Sequence, residues 1–147
     1  MKLFYAVALL FSVVFVTQAV MFKDCGSATC KINSVDVSGC AENAQSCDVV
    51  RGQTVNMTLK FTTSSEMKDL KNTVEGLVGG TWVQFKTEDA CSNTTPACPV
   101  PSDTDATYIF SLTISKLYPE ISVAAKSNMT DDSGAVCTCF EIQVKIV

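Results

Sequence analysis

From Thr54 to Thr62 apolar and polar residues alternate without a break. Val55, Met57, Leu59 and Phe61 fall on one side, and Thr54, Asn56, Thr58, Lys60 and Thr62 on the other. A repeat of two is the signature of a strand with one face in a core and the other in water. Tyr108, Phe110, Leu112 and Ile114 repeat it against Thr107, Ser111 and Thr113, with Ile109 the one apolar residue on the polar side. Ile121, Val123 and Ala125 form a third run, and Phe140, Ile142, Val144 and Ile146 a fourth, set against Glu141, Gln143 and Lys145. Leu70 to Val78 is less regular and reads as a strand, with Gly76 and Gly79 marking a bulge or a close approach. Turn formers separate these runs at Ser38-Gly39, Arg51-Gly52, Gly79-Gly80, Pro96 to Ser102 and Asp131 to Gly134. Short strands at this spacing, without helices between them, predict an all-β antiparallel sandwich or barrel. The expected inward residues are Val55, Met57, Leu59, Phe61, Tyr108, Phe110, Leu112, Ile114, Val123, Phe140, Ile142 and Val144.

The N-terminus breaks the pattern. Met1-Lys2 is followed by an apolar run from Leu3 to Val16 and by small-residue spacing at Thr17-Gln18-Ala19. That is the layout of a secretory signal peptide over residues 1–19, leaving one domain over residues 20–147. The run is shorter than the roughly 20 residues of a membrane span. The chain carries a formal net charge of −4, and loss of Lys2 with the leader makes it one unit more acidic. An acidic domain without a basic cluster excludes nucleic acid as a partner. All eight cysteines follow the leader, an even count that reads as disulfides formed in an oxidising compartment. Sequons at Asn56, Asn93 and Asn128 permit N-glycosylation there, and Asn56 lies on the polar side of its strand.

Catalysis finds little support. The chain has no histidine, so neither a Ser-His-Asp nor a Cys-His arrangement is available. Carboxylates pair at Glu88-Asp89, Asp103/Asp105 and Asp131-Asp132, but within turn-like polar stretches where such residues serve the turn. The close pair Cys137-Thr138-Cys139 has the wrong spacing for zinc. No metal and no cofactor is expected. What remains is the apolar interior. It is either filled by interdigitated side chains or left open for a ligand to complete, and periodicity alone does not separate the two.

Several stretches, taken in order, carry a resemblance. They are Phe22 to Ser27; Val35 to Cys40 followed by Cys47; Arg51-Gly52-Gln53 leading into Val55 to Phe61 with its sequon; Cys91 to Cys98 followed by Pro99; Leu117-Tyr118-Pro119; and Cys139 to Ile146. Together they resemble the Niemann-Pick type C2 family of secreted lipid-binding proteins, within the broader ML lipid-recognition fold, and span essentially the whole mature chain. The resemblance implies an immunoglobulin-like sandwich of two antiparallel sheets with an apolar pocket between them. It implies the disulfides Cys25–Cys139, Cys40–Cys47 and Cys91–Cys98. It leaves Cys30 and Cys137 as the remaining pair, and a bulge at Gly26-Ser27 or a link between the sheets is needed to join them. The family's pocket mouth is gated by three residues that align with Phe85, Ile114 and Tyr118. Thr81 to Lys86 lacks the proline-rich segment of the sterol carriers, and the loop on to Cys91 is shorter. A fatty acid or another small hydrophobic ligand therefore fits as well as a sterol.

The resulting expectation is a monomeric, secreted lipid-binding and transfer protein, extracellular or endolysosomal, that is not an enzyme. A sterol, fatty acid or similar ligand is to lie against Val55, Met57, Leu59, Phe61, Phe85, Phe110, Leu112, Ile114, Tyr118, Val123, Phe140 and Ile142. Loading is expected to involve transient contact with a membrane or a lipid transporter. The alternative is a secreted recognition module, innate-immune or allergen-like, with a closed core.

Overall fold

The computed structural model describes residues 19–147; the expected leader lies outside the described residues except for Ala19. Ten strands follow one another: β1 (Lys23–Asp24), β2 (Cys30–Val37), β3 (Cys47–Val49), β4 (Thr54–Thr63), β5 (Lys71–Val78), β6 (Thr81–Asp89), β7 (Thr94–Thr95), β8 (Asp105–Thr113), β9 (Ser122–Thr130) and β10 (Val136–Ile146). They form a six-stranded sheet with the path β1-β10-β9-β5-β6, in which β3 also joins β10, and a four-stranded sheet in the order β2-β4-β8-β7. All pairings are antiparallel except β3 with β10, which run parallel from Cys47 opposite Val144 to Val49 opposite Ile146. The two sheets stack as a sandwich, as the alternation requires.

In β4, Met57, Leu59 and Phe61 are buried while Asn56 and Lys60 face water. In β8, Ala106, Tyr108 and Phe110 are buried, and Ile109 stands 51% exposed on the outer face. In β10, Phe140, Ile142, Val144 and Ile146 are all buried. The hairpin between β5 and β6 turns on Gly79-Gly80, both at positive φ (58° and 80°). Two consecutive left-handed residues match the right-handed twist of the strands and suit glycine. Gly76 marks a close approach, because a Cβ there would overlap the edge of the Phe85 ring. The β5–β6 register shifts nearby, between Val74 and Glu75.

Four disulfides frame the sandwich. Cys25–Cys139 ties the residue after β1 to β10, and Cys40–Cys47 and Cys91–Cys98 close two short loops. Cys30–Cys137 joins the first residue of β2, in one sheet, to β10 in the other. The link between sheets, rather than a bulge at Gly26-Ser27, is how this pair meets; the register shift lies in β10, between Val136 and Thr138. This disulfide closes one lateral side of the sandwich. On the opposite side β6 faces β8 across the seam, where Lys86 Nζ donates to the Ser111 carbonyl at 3.1 Å.

Candidate functional site: an apolar cavity between the sheets

The interior is packed unevenly. Toward the end of the sandwich near Thr63 and Thr130, Leu59, Phe61, Met67, Val100, Tyr108 and Met129 are each no more than 1% exposed and fill the space between the sheets. Toward the opposite end the sheets separate around a cavity of about 90 Å³. Its wall is built from both sheets. Val37 of β2, Val55 and Met57 of β4, and Phe110 and Leu112 of β8 face Val74 of β5, Ala125 and Ser127 of β9, and Phe140, Ile142 and Val144 of β10. Val49, Ile114 and Lys126 complete it, with the Lys126 ammonium held 2.9 Å from Glu75 and 4.1 Å from the centroid of the Trp82 ring. Ligand pockets run upward from about 300 Å³. The cavity is therefore smaller than an acyl chain or a sterol requires.

Of the expected ligand residues, Val55, Met57, Phe110, Leu112, Ile114, Phe140 and Ile142 line this cavity. Leu59, Phe61 and Val123 are buried in the core but outside its wall. Phe85 and Tyr118 are half-buried and lie outside the wall too, as a tilted aromatic pair with ring centroids 5.5 Å apart. The pair bridges edge strand β6 and the loop between β8 and β9. Beside it, Lys86 lies 5.0 Å from the centroid of the Phe110 ring, which itself lines the cavity. The seam between β6 and β8 is thus held by an aromatic pair, a cation over a ring and two hydrogen bonds, from Lys86 to the Ser111 carbonyl and from the Tyr108 hydroxyl to Glu88. No disulfide joins β6 to β8.

One feature of the site was invisible in the sequence. A chain of polar side chains runs from the cavity wall out to the seam. Ser127 Oγ donates to Asn72 Oδ1 at 2.8 Å, and Asn72 Nδ2 donates to the Tyr108 hydroxyl at 3.3 Å. The Tyr108 hydroxyl donates to Glu88, and Glu88 pairs with Lys86 at 3.0 Å. Ser127, Asn72 and Tyr108 are 4%, 1% and 0% exposed. Burial pushes the Tyr108 phenol far above its ordinary value, and the hydrogen bond to Glu88 and its charge push the same way, so the hydroxyl keeps its proton. Among the expected glycan sites, Asn56 and Asn93 are exposed and Asn128 is half-buried in β9.

A family model described as the ML domain matches residues 19–146. The chain belongs to the ML domain family. Among its relatives, NPC intracellular cholesterol transporter 2 homolog a of Drosophila melanogaster is 34% identical over 144 residues, spanning 97% of each chain. The structure of a Niemann-Pick type C2 protein from Japanese carpenter ant matches with a TM-score of 0.80 at 23% identity, covering 86% of this chain and 99% of that one. Chicken MD-1, solved in complex with lipid IVa, matches with a TM-score of 0.55 at 16% identity, over 85% of this chain and 96% of its own. At these identities the two structures speak to the sandwich fold. Within the ML domain frame, Cys30–Cys137 is the bond that lies outside the pattern expected from the sequence resemblance.

Proposed function

We propose that this chain is a lipid carrier that holds one small hydrophobic ligand, a sterol, a fatty acid or a similar molecule, between its sheets. The observation that carries the reading is the apolar cavity at one end of an otherwise filled sandwich, walled by both sheets. Binding draws on apolar burial, worth about 25 cal/mol per Å². The name of the Drosophila relative, a cholesterol transporter homolog, supports the same reading. No step of it needs a nucleophile or a metal, and the protein acts as a carrier rather than an enzyme. The leader over residues 1–19 directs it to the secretory route, extracellular or endolysosomal, where the disulfides persist. The monomer takes up cargo through the β6–β8 seam during transient contact with a membrane or a lipid transporter, with Phe85 and Tyr118 moving aside.

A hydrophobic fluorophore tests the proposal. Saturable uptake of one equivalent, reversed by added sterol or fatty acid, is the expected result. Absence of uptake, or uptake that neither lipid displaces, contradicts it and favours a recognition module with a closed core.

A further inference from the structure

We infer that Tyr108 is a specificity-determining residue that sets the depth of the cavity, and with it the length of aliphatic tail the carrier prefers. The inference rests on the carrier reading. It follows from where the cavity ends in both sheets at once, and from the hydrogen bonds that tie the sheets together at that level.

In the four-stranded sheet, Val55 opposite Leu112 and Met57 opposite Phe110 line the cavity; the next inward pair, Leu59 opposite Tyr108, does not. In the other sheet, Val74 opposite Ser127 lines it; the next inward pair, Asn72 opposite Met129, does not. Leu59, Tyr108, Asn72 and Met129 are each no more than 1% exposed. Together they close the cavity with a floor drawn from both sheets.

The cavity of about 90 Å³ must widen to hold a tail, so its usable depth depends on which levels of the sandwich can part. The filled end is fixed by Cys30–Cys137: Cys30 lies opposite Thr63, and Cys137 follows Val136, which lies opposite Thr130. The floor is fixed by Tyr108. Its hydroxyl donates to Glu88 and accepts from Asn72 Nδ2 at 3.3 Å, and both partners belong to the other sheet. Parting the sheets there would strand three polar groups in an apolar interior, which costs more than burying a further methylene or two returns. Above the floor the side chains that face each other across the cavity are almost all apolar. The Lys86 contact to Ser111 is exposed, so water replaces it.

The sheets therefore open as a wedge hinged below Tyr108. Along β8 the wall runs from Phe110 to Ile114, just past the strand end. That is roughly 13 Å at about 3.3 Å per residue, the length of an extended chain of about ten carbons. A longer tail leaves its surplus methylenes in water at the mouth.

The test uses the saturated primary alcohols from octanol to hexadecanol, each displacing a bound hydrophobic fluorophore from the full-length secreted protein. For the wild type, affinity is expected to rise about fourfold per methylene, the gain from burying one CH₂, up to about decanol, and then to level off. Tyr108→Leu removes the ring and the tie, and the break moves to longer chains. Dodecanol then binds roughly tenfold tighter than decanol, where in the wild type the two are nearly equal. Tyr108→Phe keeps the ring, drops the tie and moves the break part of the way. A merely structural role for Tyr108 would weaken every alcohol alike and leave the break in place. A wild-type affinity that climbs through hexadecanol, or a break at the same length in both variants, overturns the inference and leaves the carrier reading standing. Failure of every alcohol to bind the wild type overturns the two together.

Discussion

Gly76 and Phe85 show how a single missing atom shapes the seam. The Phe85 ring edge occupies the space that a Cβ on Gly76 would need. That space lets the ring lie back on β5 while it reaches Tyr118. Gly76→Ala is expected to destabilise the fold by about 1–3 kcal/mol through overpacking. In a Phe85→Leu background most of that cost should vanish, and a double-mutant cycle in denaturant checks the coupling. Two acidic residues act at turns. The Gly26 and Ser27 amides hold Asp24 below its ordinary value, and the Ser133 hydroxyl, with the Ala135 and Ser133 amides, does the same for Asp131. A depressed carboxylate contributes stability above its unfolded value, near 3.8, and loses it as pH falls through the lower folded value. The chain has no histidine, the side chain that ordinarily titrates between about pH 5 and 8. The Tm is therefore expected to be flat across that window and to decline below about pH 4; a steep change near neutrality would count against this assignment.

At the scale of elements the two lateral sides of the sandwich differ, and the proposed entrance lies on the side that no disulfide closes. One is crossed by Cys30–Cys137, the other by the hydrogen bonds of Lys86 to Ser111 and of Tyr108 to Glu88. Lys86→Met keeps the stem over Phe110 and removes the hydrogen bond to Ser111 together with the ion pair to Glu88. Lys86 is substantially exposed, so the cost in stability should stay under about 1 kcal/mol. Faster fluorophore uptake by stopped flow is the expected outcome; an unchanged rate would move the entrance elsewhere. The disulfides make a second case. Cys25–Cys139 closes a loop with a sequence separation of 114, worth about 5 kcal/mol in the chain-entropy model. Once it exists, Cys30–Cys137 closes only the short ring between the two bonds and adds about 2–3 kcal/mol. Removing either pair alone should therefore cost much less than removing both, by chemical denaturation.

The elements were legible to different degrees, for physical reasons. β4, β8 and β10 each have one buried and one wet face, so their alternation was clear. β2 was hidden because its pairing register shifts between Ile32 and Ser34, which breaks the period. β6 was hidden because, as an edge strand, it leaves residues on both faces partly exposed. The parallel addition of three-residue β3 to β10 is too short to leave a pattern.

For the whole molecule, sequence periodicity identified inward residues but not the distance between the sheets. Val55 and Leu59 look alike in the alternation, yet one lines the cavity and the other is sealed in the filled half. The polar chain escaped for a related reason. Ser127, Asn72 and Tyr108 are distant in sequence and read as ordinary strand residues until the fold aligns them. What they build is an interior filled at one end, open at the other, and unstapled along one side. Such an interior gains stability by enclosing a ligand that completes its packing. Native mass spectrometry of the protein recovered from the medium of secreting cells tests this most directly. The account predicts a chain lacking residues 1–19, with four disulfides and one small lipid that organic extraction removes and added lipid restores. A protein that carries no lipid and takes up none when sterol or fatty acid is supplied would contradict it.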